Sequence, residues 1–166
     1  MKVEFDITMT AKAMRGYRFY HKYTRVGGIM ELGLGLFLVC FCVITIIQKT
    51  NISYTLIVGF LGLFFLVIMP VSMALRAGKT VKTSKRFQEP THYVVEDKGM
   101  TVSMQDMQAQ VKWDEIYKIK ETKNNIFIYF TPVSANVLPK EQLEGKLADL
   151  KALISKNMKP YTFKLK

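Results

Sequence analysis

Acid-base or nucleophilic chemistry needs a histidine, a cysteine or a carboxylate pair held together, and this sequence offers few candidates. His21 and His92 stand alone, in neither an H-x-x-x-H nor an H-E-x-x-H pattern, so no zinc site follows from their spacing. Cys40 and Cys42 lie inside a long apolar run, where they read as small apolar residues rather than as a disulfide or metal pair. Gly78-Lys79-Thr80 ends like a P-loop, but the glycine required five residues before Gly78 is Met73, and the segment follows an apolar run instead of a strand. Most acidic residues stand beside Lys or Gly in turn-like segments and read as solvated surface. No catalytic, cofactor-binding or metal-ligating residue is assigned, and the chain is expected not to be an enzyme.

Glu31 is the exception. Between Gly27 and Leu75 the only formal charges are Glu31 and Lys49, and a carboxylate about one turn into a membrane span costs a few kcal/mol if it faces lipid. Gly28 and Gly35 share its helical face at spacings of three and four, so Gly28, Glu31 and Gly35 form a candidate helix-contact patch. Gly59 and Gly62 offer a weaker match further along. The plainer reading has Glu31 reach the headgroups or pair with Lys22 or Arg25.

The apolar stretch divides at Gln48-Lys49-Thr50-Asn51. Each arm is long enough, at about 1.5 Å per residue, to cross a hydrocarbon core of about 30 Å as a helix. A lipid-exposed backbone must satisfy its own hydrogen bonds, which requires helices. The sequence thus predicts a two-helix transmembrane hairpin over residues 26–76, with Pro70 bending the second span. Mostly polar residues precede the first arm, which argues against a cleaved signal peptide.

Basic residues crowd one side of this hairpin. Lys2, Lys12, Arg15, Arg18, Lys22 and Arg25 precede it, and Arg76, Lys79, Lys82, Lys85 and Arg86 follow it, against Lys49 alone in the turn. The positive-inside rule puts both termini in the cytoplasm. Within residues 1–25, a strand over Lys2 to Thr8 leads into a helix whose Lys12, Arg15, Arg18, Lys22 and Arg25 form a candidate contact with anionic lipid, opposite Ala13, Met14, Tyr17 and Tyr20. Of the net charge of +11, little belongs to residues 91–166, where twelve basic residues face nine acidic ones. The excess concentrates beside the bilayer, so no nucleic-acid partner is expected.

After a basic linker over 77–90, short strands follow: Thr91 to Glu96, Met100 to Met104, Gln108 to Trp113, Tyr117 to Glu121, Ile126 to Phe130 and Asn136 to Leu138. Turns fall at Asp97-Lys98-Gly99, where Gly99 takes positive φ, at Gln105-Asp106-Met107, and at Lys123-Asn124-Asn125, where Asn tolerates the left-handed region. Pro139 then opens a helix whose Leu143, Leu147, Leu150 and Ile154 form one apolar stripe. Trp113 is expected to pack under that helix, with Asp114 and Glu115 shaping the turn; the alternative is a binding groove beside it. With the N-terminal strand added, about seven short strands and one covering helix make a curved antiparallel sheet. That is the α+β arrangement of pleckstrin-homology-like (PH-like) domains, expected over 91–166.

Several segments carry a family likeness: the F-x-I-T strand at Phe5 to Thr8, the hairpin, Tyr93 to Met100 (YVVEDKGM), Val111 to Ile116 (VKWDEI), Phe127 to Phe130 (FIYF) and Leu138 to Lys140 (LPK). On these the chain resembles the YcxB-like membrane proteins of Firmicutes. The resemblance implies this architecture in a bacterial plasma membrane and supplies no activity. The expected function is a non-enzymatic, multi-pass membrane protein presenting a cytoplasmic PH-like binding or scaffold module. Its partners are the lipid bilayer and a partner protein. The alternative is an accessory subunit or homo-oligomer assembled through the hairpin.

Overall fold

The computed structural model describes residues 1–105 and 107–165, with Tyr161 described by its backbone alone. The chain divides into two compact units. One joins Met1–Tyr17 to Lys79–Lys166, and the other is Arg18–Gly78.

The first unit contains two sheets. Strands β1 (Lys2–Ile7), β2 (Thr91–Glu96), β3 (Gly99–Met104) and β4 (Met107–Val111) form one antiparallel sheet in sequence order. The second has the order β7 (Ala135–Pro139), β6 (Asn125–Tyr129), β5 (Lys118–Glu121), β8 (Phe163–Lys164), with β8 parallel to β5 and the other pairs antiparallel. The N-terminal strand expected to join the sheet is β1. This strand runs in register with β2 from Lys2↔Glu96 to Ile7↔Thr91, so the N-terminal segment is part of the sheet unit. Alternation explains the pairing. Val3, Phe5 and Ile7 are buried while Lys2, Glu4 and Asp6 are exposed, and Phe5 stacks on Tyr93 at 5.4 Å.

The core lies between the sheets and helix α6 (Leu147–Asn157), where Val95, Met100, Ile119, Ile126, Ile128 and Leu138 meet Leu143, Leu150, Leu153 and Ile154. The helix expected from Pro139 starts later. Pro139 ends β7, Lys140–Gln142 form a 3-10 turn, and Gly145, at φ 77°, interrupts the chain before α6. Gly99 has positive φ as expected, and a Cβ there would meet the Val111 carbonyl oxygen at 2.4 Å. The non-glycine residues at positive φ, among those described, are Lys49 and Gln105 rather than an asparagine. The 122–125 turn is held instead by Thr122, whose N–H and Oγ1 both donate to the Asn125 carbonyl, at 2.8 and 2.9 Å. The turn expected at Gln105-Asp106-Met107 includes Asp106, which lies outside the described residues.

The first half of helix α1 (Ala11–Tyr23) supplies a further layer. Strand β6 is buried at every position, and on the face opposite the core Phe127 meets Tyr17 edge-on at 5.6 Å. Ala13 and Met14 are buried there, and Gly16 leaves room for the Asn125 amide, which a Cβ would approach to 2.9 Å. The Gln142 side chain continues this closure, accepting from the Thr8 N–H at 2.8 Å and donating to the Thr8 carbonyl at 2.9 Å.

One charge lies inside this unit. Glu121 shares the inward face of β5 with Ile119, and its side chain is 1% exposed. Lys140 and Lys151, the latter at 2.8 Å, close on it from the two segments after β7. Burying a carboxylate is costly unless it is paired, so this cluster ties α6 to the sheet. At the surface, Asp97 joins the β2–β3 turn to Lys156 at 2.8 Å and to the N-terminal ammonium at 2.8 Å. These two cations hold its carboxyl below the usual carboxylate range. With the folded pKa depressed, the contribution is present above the unfolded pKa and disappears only in stronger acid.

The second unit is a helical hairpin. Helix α2 (Val26–Ile47) is followed by a four-residue turn, then by α3 (Ile52–Leu63), a π-helical turn (Phe64–Ile68) and α4 (Met69–Thr83). Asn51 Oδ1 caps α3 by accepting from the Ser53 N–H at 2.9 Å. The π turn sits just before Pro70, which has no N–H to donate to the preceding turn, and the Met69 N–H bonds to Phe64, five residues back. Much of the expected 77–90 linker is helical. Helix α4 runs to Thr83 and a short α5 spans Lys85–Gln88, so Gly78-Lys79-Thr80 lies within a helix and cannot wrap a phosphate.

Trp113, the sole tryptophan, belongs to the sheet unit, and its fluorescence reports that unit's unfolding. Glu121→Gln is expected to lower its stability by about 2 kcal/mol, less than a fully buried pair would lose because both lysines reach solvent. Lys151→Met, which leaves Lys140 in place, should cost less. Urea titration followed at Trp113 measures both. An unchanged midpoint for Glu121→Gln would contradict the role assigned to this cluster.

Candidate functional site

In the hairpin unit, the residues proposed as one helix face do different things. Gly35 packs on the second arm, where an added Cβ would come within 2.8 Å of Leu66 Cγ. Glu31 accepts a hydrogen bond from Lys22 Nζ at 2.7 Å, and both side chains are largely buried. Gly28 does not reach the second arm. A Cβ there would meet the Lys22 carbonyl oxygen at 2.2 Å, so its smallness serves the passage from α1 into α2. Gly59 and Gly62 face Cys42 and Val39 across the hairpin. Cys42 Sγ donates to the Thr55 carbonyl at 3.6 Å, which places it in the helix contact, while Cys40 is exposed.

The five basic residues of the first helix are likewise dispersed. Lys12 pairs with Glu141 at 3.0 Å, and Lys22 with Glu31. Arg15 Nε donates to the Ala11 carbonyl at 3.3 Å. Arg18 is half-buried, and Arg25 is exposed at the start of α2, where its carbonyl accepts from the Gly28 and Ile29 N–H groups. Lys12 and Lys22 are thus committed to carboxylates of the chain.

The arms of the hairpin are apolar and uncovered. Only 11% of the apolar stretch of each is buried, and Val26, Met30, Phe37, Ile46, Leu56 and Phe60 are each more than half exposed. Helices of 22 and 32 residues reach about 33 and 48 Å. Both are long and apolar enough to cross a membrane. An apolar surface of this extent on an unassembled soluble protein would be a strong aggregation liability.

The sheet unit offers two concavities. One, of about 280 Å³, is lined by Met9, Met14, Tyr17, Arg86, Tyr93 and Met104 among others. Arg86, Glu89, Thr91, Ser134 and Asn136 add polar groups to it, and burial pushes the Tyr93 hydroxyl above the ordinary tyrosine range, so it stays neutral at physiological pH. The other, of about 580 Å³, opens beside Trp113 with Lys98, Lys112, Tyr117, Asn157 and Lys159 on its walls. Trp113 is partly buried against the core and donates its indole N–H to the Glu96 carbonyl at 3.0 Å, which fixes the wall it forms. It sits in a 3-10 turn rather than at a strand end. Glu115 caps that turn by accepting from the Lys112 N–H at 2.9 Å. His92 Nδ1 lies 2.7 Å from Asp6 at the surface, and no group of three metal-ligating side chains occurs among the described residues. Sequence reading missed Glu121 and the first concavity, while a groove beside Trp113 was its alternative. The Lys118-Ile119-Lys120-Glu121 alternation, which puts Glu121 on the side of Ile119, was the available signal for that carboxylate.

These features define a two-sheet, helix-covered unit interrupted by an apolar helical hairpin. Residues 95–155, from within β2 to within α6, match the family model described as YcxB-like protein. No curated protein and no solved structure matches the chain.

Gly35→Val is expected to destabilise the hairpin by about 2 kcal/mol through overpacking against Leu66. Gly33→Val, where no neighbouring atom lies within 4 Å, should be near neutral. In a Cys40→Ser background, the temperature at which Cys42 becomes reactive to a maleimide dye measures both. Equal temperatures for the two variants would contradict the Gly35 contact.

Proposed function

We propose that this chain is a non-enzymatic integral membrane protein that holds a PH-like binding or scaffold module at the cytoplasmic face of a bacterial plasma membrane. The observation that carries the reading is the uncovered apolar hairpin, connected in the chain between the paired strands β1 and β2. Because Ile7 and Thr91 are register partners, the chain must leave and re-enter the sheet unit at the same place. Once the hairpin is inserted, both its flanks lie on one side of the bilayer. The basic residues on those flanks, against Lys49 in the turn, make that side the cytoplasmic one.

The PH-like assignment is supported by a first sheet of four antiparallel strands, a second containing three more, and a helix that follows them and packs into the core. A binding role is supported by the two concavities, whose walls combine apolar and basic side chains with Glu89 in one and Asp114 in the other. Assembly through the glycine face draws less support, since Gly35 is engaged by Leu66 of the same chain.

Single cysteines at Lys49 and Lys98, each in a Cys40→Ser/Cys42→Ser background, test the orientation in intact bacterial cells. A membrane-impermeant maleimide should label position 49 directly and position 98 only after permeabilisation. The reverse pattern, or recovery of the chain from the soluble fraction, would overturn the proposal.

A further inference from the structure

The first sheet ends on an open strand. Residues 107–110 of β4 are exposed and Val111 is half-buried, and among the described residues no strand pairs with its outer side. Sheet edges normally carry charge, proline or a bulge, which prevents pairing with another chain. Met107-Gln108-Ala109-Gln110-Val111 has no charge and no proline, and its register with β3 runs without a bulge from Met104↔Met107 to Met100↔Val111. Directly opposed residues share a face, so Met107, Ala109 and Val111 prolong the apolar row of Met100, Val102 and Met104. That row is covered at Met100, which is 1% exposed, and open at Met107, which is 65% exposed.

The order of the residues says what closes this edge. About Ala109 the strand reads alike in both directions, with Gln108 against Gln110 and Met107 against Val111. An antiparallel partner related by a two-fold axis through Ala109 therefore meets amide with amide and apolar with apolar. We propose that β4 is a self-association edge, on which a second copy of this chain pairs antiparallel about Ala109 and joins two four-stranded sheets into one. The contact is isologous, closes after two copies, and satisfies the outward backbone groups of both edges. It does not depend on the ligand of either concavity.

The test uses the full chain in detergent micelles or nanodiscs, with mass measured by light scattering. Ala109→Glu and Ala109→Lys each place like charges side by side at the axis, and each variant alone should run as a monomer where the parent is a dimer. Equal amounts of the two mixed together should return to the dimer, because Glu then faces Lys across the axis. A misfolded variant cannot give that rescue, and Trp113 emission checks the fold of each one. Ala109→Cys in a Cys40→Ser/Cys42→Ser background should cross-link to a covalent dimer, since opposed Cβ atoms in such pairs are about 5 Å apart. A monomeric parent, dimers in both single variants, or no rescue on mixing of variants with parent-like Trp113 emission would overturn the proposal.

Discussion

Everything in this structure depends on the pairing of β1 with β2. Six consecutive residues on each strand are in register, yet the strands are separated in sequence by the helical hairpin and its flanks. Closing so long a loop carries an entropic cost that grows only slowly with loop length. The burial of Val3, Phe5 and Ile7 against Tyr93 and Val95 offsets that cost. The consequence is topological. The chain cannot pass its ends to opposite sides of a bilayer while that pairing stands, so a helical insertion between these strands must contain an even number of spans. A hairpin is the smallest solution.

The sheet unit closes around that junction by polar ties that are few and specific. Gln142 pairs with the backbone of Thr8 just beyond β1, Lys12 reaches Glu141 from the helix that follows, and Asp97 collects the N-terminal ammonium and Lys156. All join the two ends of the discontinuous unit or secure its last helix. Glu121 adds a buried carboxylate to the core, and its two lysines come from segments on either side of Gly145. The exposed ties contribute little individually, since surface ion pairs are screened. Their placement keeps β1 and α6 in one register.

The hairpin was legible in the sequence because its signals are local: two apolar runs long enough to cross a membrane, divided by a polar turn. The strands from Thr91 to Pro139 were legible for a similar reason, since alternation and turn residues are local. What escaped was long-range or conformational. Nothing near Phe163 signals that it pairs parallel with Ile119. Nothing near Ala13 and Tyr17 signals that half of a basic helix covers Phe127, so that helix read as a lipid collar. Gly145 broke a stripe that looks continuous from Leu143 to Ile154, because periodicity does not record a positive φ. Gly28 and Gly35 share a face at helical spacing, yet only Gly35 meets the second arm, because the turn from α1 into α2 claims Gly28. The concavity lined by Met9 and Tyr93 escaped too, because its walls come from segments far apart in sequence.

The central claim is that β1 and β2 pair in the intact chain, and a cross-strand disulfide tests it most directly. Glu4 and Val94 are register partners, and paired strands bring opposed Cα atoms to about 5 Å, within disulfide range. With Cys40→Ser and Cys42→Ser, the Glu4→Cys/Val94→Cys chain in native membranes should oxidise to an intramolecular disulfide. This would be seen as a mobility shift that reducing agent reverses, while Glu4→Cys/His92→Cys, two residues out of register, should close far less. Equal yields from the two pairs, or no disulfide from either, would contradict the account.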